Sequence, residues 1–136
     1  MKRALVVANK TLCEQHLIDA LRARRAAGPA RFHLLVPASH PTGAWTDADT
    51  EREARARLEE ILDTLAAAAI PAVGEIGDAS PVTAVDDLLR RESFDEIIVS
   101  TLPSGVSRWM AQNVVRRLGH FGLPVTHVVA EQTVLA

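Results

Sequence analysis

The chain has 136 residues, 48% apolar and 24% charged, which fits one globular domain over residues 1–136 with a core of its own. A net charge of −2 gives no electrostatic ground for a nucleic-acid partner, and no apolar run nears the roughly 20 residues of a membrane helix. The one cysteine, Cys13, excludes an internal disulfide and points to a reduced, cytoplasmic setting, and Met-Lys-Arg leads straight into a strand pattern rather than a signal peptide.

Arg3–Ala8 is apolar at consecutive positions, as a central strand covered on both faces should be. It stops at Asn9-Lys10-Thr11, where Asn9 or Thr11 can cap a helix over Leu12–Ala27. Leu17, Ile18 and Leu21 face inward in that helix. Arg22, Arg24 and Arg25 near its end suit the negative pole of the helix dipole, or alternatively form a basic patch for an anionic partner. Gly28-Pro29 ends it. A second strand, Arg31–Val36, is closed by Pro37. The connection Ala38–Asp49 carries Pro41, Gly43 and Trp45, and Trp45 either covers a cleft or packs the loop onto the body.

Thr50-Glu51-Arg52-Glu53 has capping-box spacing and is expected to open the longest helix. Leu58, Ile61, Leu62, Leu65 and Ala69 recur at helical intervals as one apolar stripe. Glu51–Arg55, Glu53–Arg57 and Arg55–Glu59 stand four apart on a solvated outer face. Pro71 ends the helix, and the strand Ala72–Ile76, interrupted by Gly74, is expected near a sheet edge. Ser80 as N-cap with Pro81 in the first turn starts a third helix running to about Glu92, with Val82, Val85, Leu88 and Leu89 inward. Phe94–Val99 is a buried strand. A fourth helix, with Trp109, Met110, Val114 and Leu118 inward, precedes the last strand, Val125–Val129.

Five strands alternating with four helices over short crossovers imply an α/β fold, an open parallel sheet with helices on both faces. Two strand orders are common for this count, and they differ in which loops meet at the switch point. The fourth strand stops abruptly at small polar residues, and the carboxyl edge of such a sheet is where ligands bind. Ser100, Thr101, Ser104, Gly105, Ser107 and Arg108 supply hydroxyls, a glycine and a cation suited to an anion such as phosphate, although Ser104 or Ser107 can equally serve as a helix cap. Neither a Walker A loop nor a Gly-x-Gly-x-x-Gly run is present.

The order of elements, Gly77-Asp78 after strand three, Phe94-Asp95-Glu96-Ile97-Ile98-Val99-Ser100 before the loop, and the closing Gly122-Leu123-Pro124-Val125-Thr126-His127-Val128 resemble the universal stress protein family over nearly the whole chain. The resemblance implies a five-stranded Rossmann-like sheet in the order 3-2-1-4-5. That order brings Asn9, Lys10 and Thr11 beside Ser100, Thr101, Ser104, Gly105, Ser107 and Arg108 as one candidate anion or nucleotide cleft. Many members of the family bind ATP there through Gly, two residues, Gly, nine residues, Gly, then Ser or Thr. Here those glycine positions fall on Ser100, Pro103 and Asn113, or on Ala111 when counted back from Pro124, and the acidic residue often found after strand one is Asn9.

The resemblance therefore implies a member without the nucleotide-binding glycines. Its expected role is non-catalytic, regulatory or protective in stress response, acting by binding an as yet unknown protein partner. The alternative is an ATP or AMP switch using Thr101, Ser104, Gly105 and Ser107. Val125–Val129 would leave an apolar strand at the sheet edge, and members of the family commonly dimerise there, so a homodimer is expected.

An enzyme would have to be assembled from His16, His33, His40, His120, His127, Cys13 and scattered serines. No pair among them has metal-ligand spacing or a nucleophile-elbow context. His33 and His127 fall inside strand patterns and read as structural. A phosphorylated receiver domain would need an acidic pair after strand one, and Ala8-Asn9-Lys10 supplies none; Asp78 reads as a cap or turn residue.

Overall fold

A computed structural model of the chain describes residues 2–8, 14–38, 47–78, 80–101 and 114–129. The elements are β1 (Lys2–Ala8), α1 (Glu14–Ala27), β2 (Ala30–Pro37), α2 (Asp47–Ala67), β3 (Ala72–Gly77), α3 (Pro81–Leu89), β4 (Glu96–Thr101), α4 (described over Val114–Leu118) and β5 (Val125–Val129). The strands form one parallel sheet in the order β3-β2-β1-β4-β5, as the resemblance implied. β1 lies at its centre, and Ala4 through Ala8 are fully buried. Side chains alternate across the sheet. Ala4, Val6 and Ala8 pack with Phe32, Leu34, Val36 and Ile98 beneath α1 and α2. Leu5 and Val7 pack with Leu35, Ile97 and Val99 beneath α3 and α4. Two apolar layers thus cover one sheet, which is why its inner strands read as continuous apolar runs.

The helices follow the sequence pattern with three corrections at their ends. α2 begins at Asp47, not Thr50, so the capping-box threonine stands buried in the first turn. Asp49 falls in that turn, where negative charge suits the positive helix pole. At the other end Ala69 is not part of the buried stripe. The helix stops at Ala67, and Ala69 is exposed with φ 62°, in the left-handed region. The Ile70 amide donates to the Leu65 carbonyl (2.9 Å) and the Ala69 amide to that of Ala66 (3.0 Å), which is the Schellman arrangement with alanine where glycine usually stands. Ile70 is then buried beside Leu65. The third correction concerns α3, which ends at Leu89 rather than Glu92; the Arg91 and Glu92 amides both turn back onto the Leu88 carbonyl.

The arginines near the end of α1 do not act on their own helix dipole alone. Arg22 and Arg25 donate to the Ala68 and Ala69 carbonyls at the end of α2 (3.2 and 3.1 Å). Arg24 forms a two-pronged ion pair with Glu96 at the start of β4 (2.7 and 2.8 Å). That pairing raises the Arg24 pKa. All three arginines thus make internal bonds, and the one from Arg22 satisfies a carbonyl that the helix end leaves open.

β3 is an edge strand, as Gly74 suggested, but the glycine has a sharper reason. A Cβ there would lie 2.7 Å from Leu58 Cδ1 and 2.9 Å from the Leu34 carbonyl oxygen. Absence of a side chain lets α2 settle directly on the strand. β5 forms the opposite edge and pairs with β4. Among the described residues no helix is long and apolar enough to cross a membrane.

Candidate functional site

The chain reverses its direction of travel across the sheet between β1 and β4, which are adjacent although α1, β2, α2, β3 and α3 intervene. This is the switch point of the sheet, and its carboxyl side is where a crevice opens in such folds. The register pairs Ala8 with Ser100, and Ser100 in turn with Val128. The chain thus leaves the sheet at Ala8 and at Thr101 from neighbouring strands.

Of the nine residues expected to form the cleft, the structure describes Ser100 and the backbone of Thr101. Asn9, Lys10, Thr11, Ser104, Gly105, Ser107 and Arg108 lie outside the described residues, as do Cys13, His40, Trp45, Pro103, Trp109 and Met110. Ser100 carries the most information. Its residue is 3% exposed, and apart from Thr50 it is the only buried polar or charged residue among those described. By strand alternation it shares the face of Ile98, toward α1. Among the described residues the Ser100 hydroxyl has no hydrogen-bond partner. A buried hydroxyl without a partner is uncommon, because leaving it unmade costs about 1–3 kcal/mol. Ser100 stands at the end of a strand on the switch point, where ligands enter sheets of this kind.

Beside this edge, Asp78 Oδ1 accepts from the Ser80 amide (2.9 Å) and Ser80 Oγ accepts from the Thr83 amide (3.4 Å). Asp78 and Ser80 therefore act as turn and cap, as the sequence indicated. Gly77 brings α3 close: a Cβ there would meet Ala84 Cβ at 2.9 Å.

The amino-terminal end of the sheet carries a second polar cluster, which sequence reasoning missed. Arg3 donates to the Glu92 carboxylate and the Ser93 carbonyl, both at 2.8 Å, and lies 4.6 Å from the Phe94 ring centre. His33 meets the edge of the same ring and is 3.0 Å from Glu75 Oε1. Arg91 holds the other Glu75 oxygen at 2.8 Å. The Arg3 hydrogen bond keeps the Glu92 carboxyl below the usual range. Ligating atoms of His33, Glu75 and Glu92 lie within 4.8 Å of one another, a spacing that could hold a metal ion. Each carboxylate is already held by an arginine, however, and a cation would have to displace Arg3 and Arg91. The cluster is better read as an ion-pair network, so His33 is structural, as its place in a strand suggested. The other described histidines do not join it: His16 is half-buried on α1, His120 is exposed, and burial on β5 lowers the His127 pKa.

No protein-family profile matches the chain, and no curated protein matches it. Solved structures do. One is a universal stress protein family member from Burkholderia pseudomallei, at 15% identity and TM-score 0.62 over 95% of this chain and 96% of that one. Another is a universal stress protein in complex with cAMP, at 16% identity and TM-score 0.60 over 97% and 99%. The chain shares the fold of these proteins.

Proposed function

We propose that this chain is a universal-stress-type protein that acts by binding rather than by catalysis, in a regulatory or protective role in the cytoplasm. The observation that carries this reading is the β3-β2-β1-β4-β5 sheet, shared with both universal stress protein structures, with Ala8 and Ser100 side by side at its switch point. The cleft would be completed by Asn9, Lys10, Thr11, Thr101, Ser104, Gly105, Ser107 and Arg108.

A second reading, an adenine-nucleotide switch taking ATP or AMP, is favoured by the unpartnered Ser100 hydroxyl and by the cAMP held by one structural neighbour. Against it stand the missing glycines: Pro103 has no amide hydrogen to offer phosphate, and a Cβ at the other positions hinders close backbone approach. Thermal denaturation with and without millimolar Mg-ATP, AMP and cAMP tests it. A ligand at about 100 times its Kd adds roughly 2.7 kcal/mol, a rise of several degrees for a domain of this size. A rise with any of the three supports the switch. No rise leaves the protein-binding role.

The assembly we propose is a homodimer formed through the β5 edge, Val125–Val129, whose strand pairs with β4 on one side. Light scattering should give twice the chain mass. Val128→Pro, with its circular dichroism unchanged, should give the monomer, and a dimer that survives the substitution refutes this interface.

A further inference from the structure

We propose that the amino-terminal end of the sheet, opposite the switch-point crevice, binds a small organic anion. Its carboxylate or phosphate would sit on Arg31 and Arg25, with its apolar body against Pro71, Ala72 and Val73. A cavity of about 460 Å³ opens there, within the range of small-molecule sites, and its lining includes those five residues with Arg3 and His33. The lining contains three guanidinium groups and no carboxylate.

The charges in this lining are not answered equally. Arg3 is paired with Glu92, and Arg25 donates to the Ala69 carbonyl, a neutral group. The Arg31 guanidinium makes no hydrogen bond or ion pair among the described residues. It also stands directly opposite Arg3 on the neighbouring strand, and like charges so placed repel. An anion held by Arg31 would offset that repulsion, and the planar, forked guanidinium suits carboxylate or phosphate.

The apolar half rests on Val73, which is 64% exposed and the one exposed large hydrophobic residue among those described. A lone exposed valine is ordinary on a surface. This one faces His33 across the β2–β3 pair and shares the cavity wall with Pro71 and Ala72. Cation chemistry is disfavoured at the same place, since a metal would enter beside three arginines.

The test is titration of the isotope-labelled full chain, followed by amide NMR, with phenyl phosphate and, separately, inorganic phosphate. Saturable shifts are expected at 30–33 and 72–73, with phenyl phosphate the tighter of the two. Arg31→Gln, at an exposed side chain with no internal bond, should weaken both probes about tenfold, the loss of one charge-assisted hydrogen bond. Val73→Ser should weaken phenyl phosphate alone. The proposal is overturned by shifts confined to Ser100 and Thr101, by non-saturating shifts, by equal affinity for the two probes, or by wild-type binding in both variants. Because Ser100 and Thr101 sit at the other end of their strand, failure here leaves the switch-point reading intact.

Discussion

Ser100→Ala should make the free protein more stable and any ligand of the switch point less tightly bound. The Ser100 residue is 3% exposed and sits between Ala8 and Val128 on adjacent strands. Alanine fits the same space and removes a hydroxyl that has no partner among the described residues; unmade hydrogen bonds of a buried hydroxyl cost about 1–3 kcal/mol. Taking the lower figure, stability should rise by ~1 kcal/mol, which lifts Tm by roughly 2–8 °C in domains of this general size. Binding should move the other way. Losing one hydrogen bond to a charged ligand weakens Kd about tenfold, so a nucleotide at 100 times its Kd falls to 10 times, and its stabilisation drops from about 2.7 to about 1.4 kcal/mol. Calorimetry on both proteins, with and without nucleotide, reads the two effects separately. A markedly lower Tm in the free variant, with the fold intact, would show that the hydroxyl is already bonded and that the inference from burial is wrong. An unchanged nucleotide-induced shift would remove Ser100 from the cleft.

Other substitutions probe the scaffold. Gly74→Ala should destabilise by ~1–3 kcal/mol in urea denaturation, because its methyl meets a backbone oxygen that cannot yield as a side chain can; a neutral result refutes the close packing of α2 on β3. Ala69→Gly should stabilise by about 0.5–1 kcal/mol, since relief of the left-handed conformation exceeds the added freedom of the unfolded chain; a fall in Tm contradicts the helix end described above. Acidification should weaken the fold in two windows. Burial lowers the His127 pKa from its ordinary 6.5, so the unfolded chain takes up that proton first and stability falls as pH drops below 6.5. The Arg3 hydrogen bond lowers the Glu92 pKa from 4.5, so its contribution is present above that value and is lost as pH falls further. His127→Asn should flatten the upper window in a series of Tm measurements, and a slope that persists there assigns it to another group.

The parts of the fold that local chemistry decides were legible in the sequence. β1 read as central because five consecutive residues face an apolar layer, and Ser80-Pro81 read as a helix start because the cap and the fixed φ are contained in two neighbours. Gly74 marked an edge strand, although its reason is a helix packed on it rather than a weak strand. What failed was decided at a distance or by competition. The Thr50 capping box lost to an earlier helix start at Asp47. Ala69 could not announce a left-handed turn, since that position is normally signalled by glycine. Arg22, Arg24 and Arg25 were assigned to their own helix end because partners 44 to 72 positions away leave no local trace. The abrupt end of an apolar run marked Ser100 and Thr101 as the carboxyl end of β4, where the structure has them. The arginine-lined cavity was not found, because only the β1–β2 register brings Arg3 beside Arg31.

The bonds from Arg22 and Arg25 to Ala68 and Ala69 have a further consequence, for how the chain folds. The carbonyls of the turn that follows α2 receive these donors from a helix more than forty residues earlier in the chain. The chain closes the end of α2 through its own Ile70 and Ala69 amides, and docking of α1 on the same side of the sheet adds the two arginine donors to that turn. Loss of the two arginine donors, as in Arg22→Ala with Arg25→Ala, should therefore speed amide exchange near Ile70 by loosening the turn that these donors brace. Arg25 also lines the cavity proposed for an organic anion. A ligand held there would reach, through one side chain, the joint at which two helices are fastened.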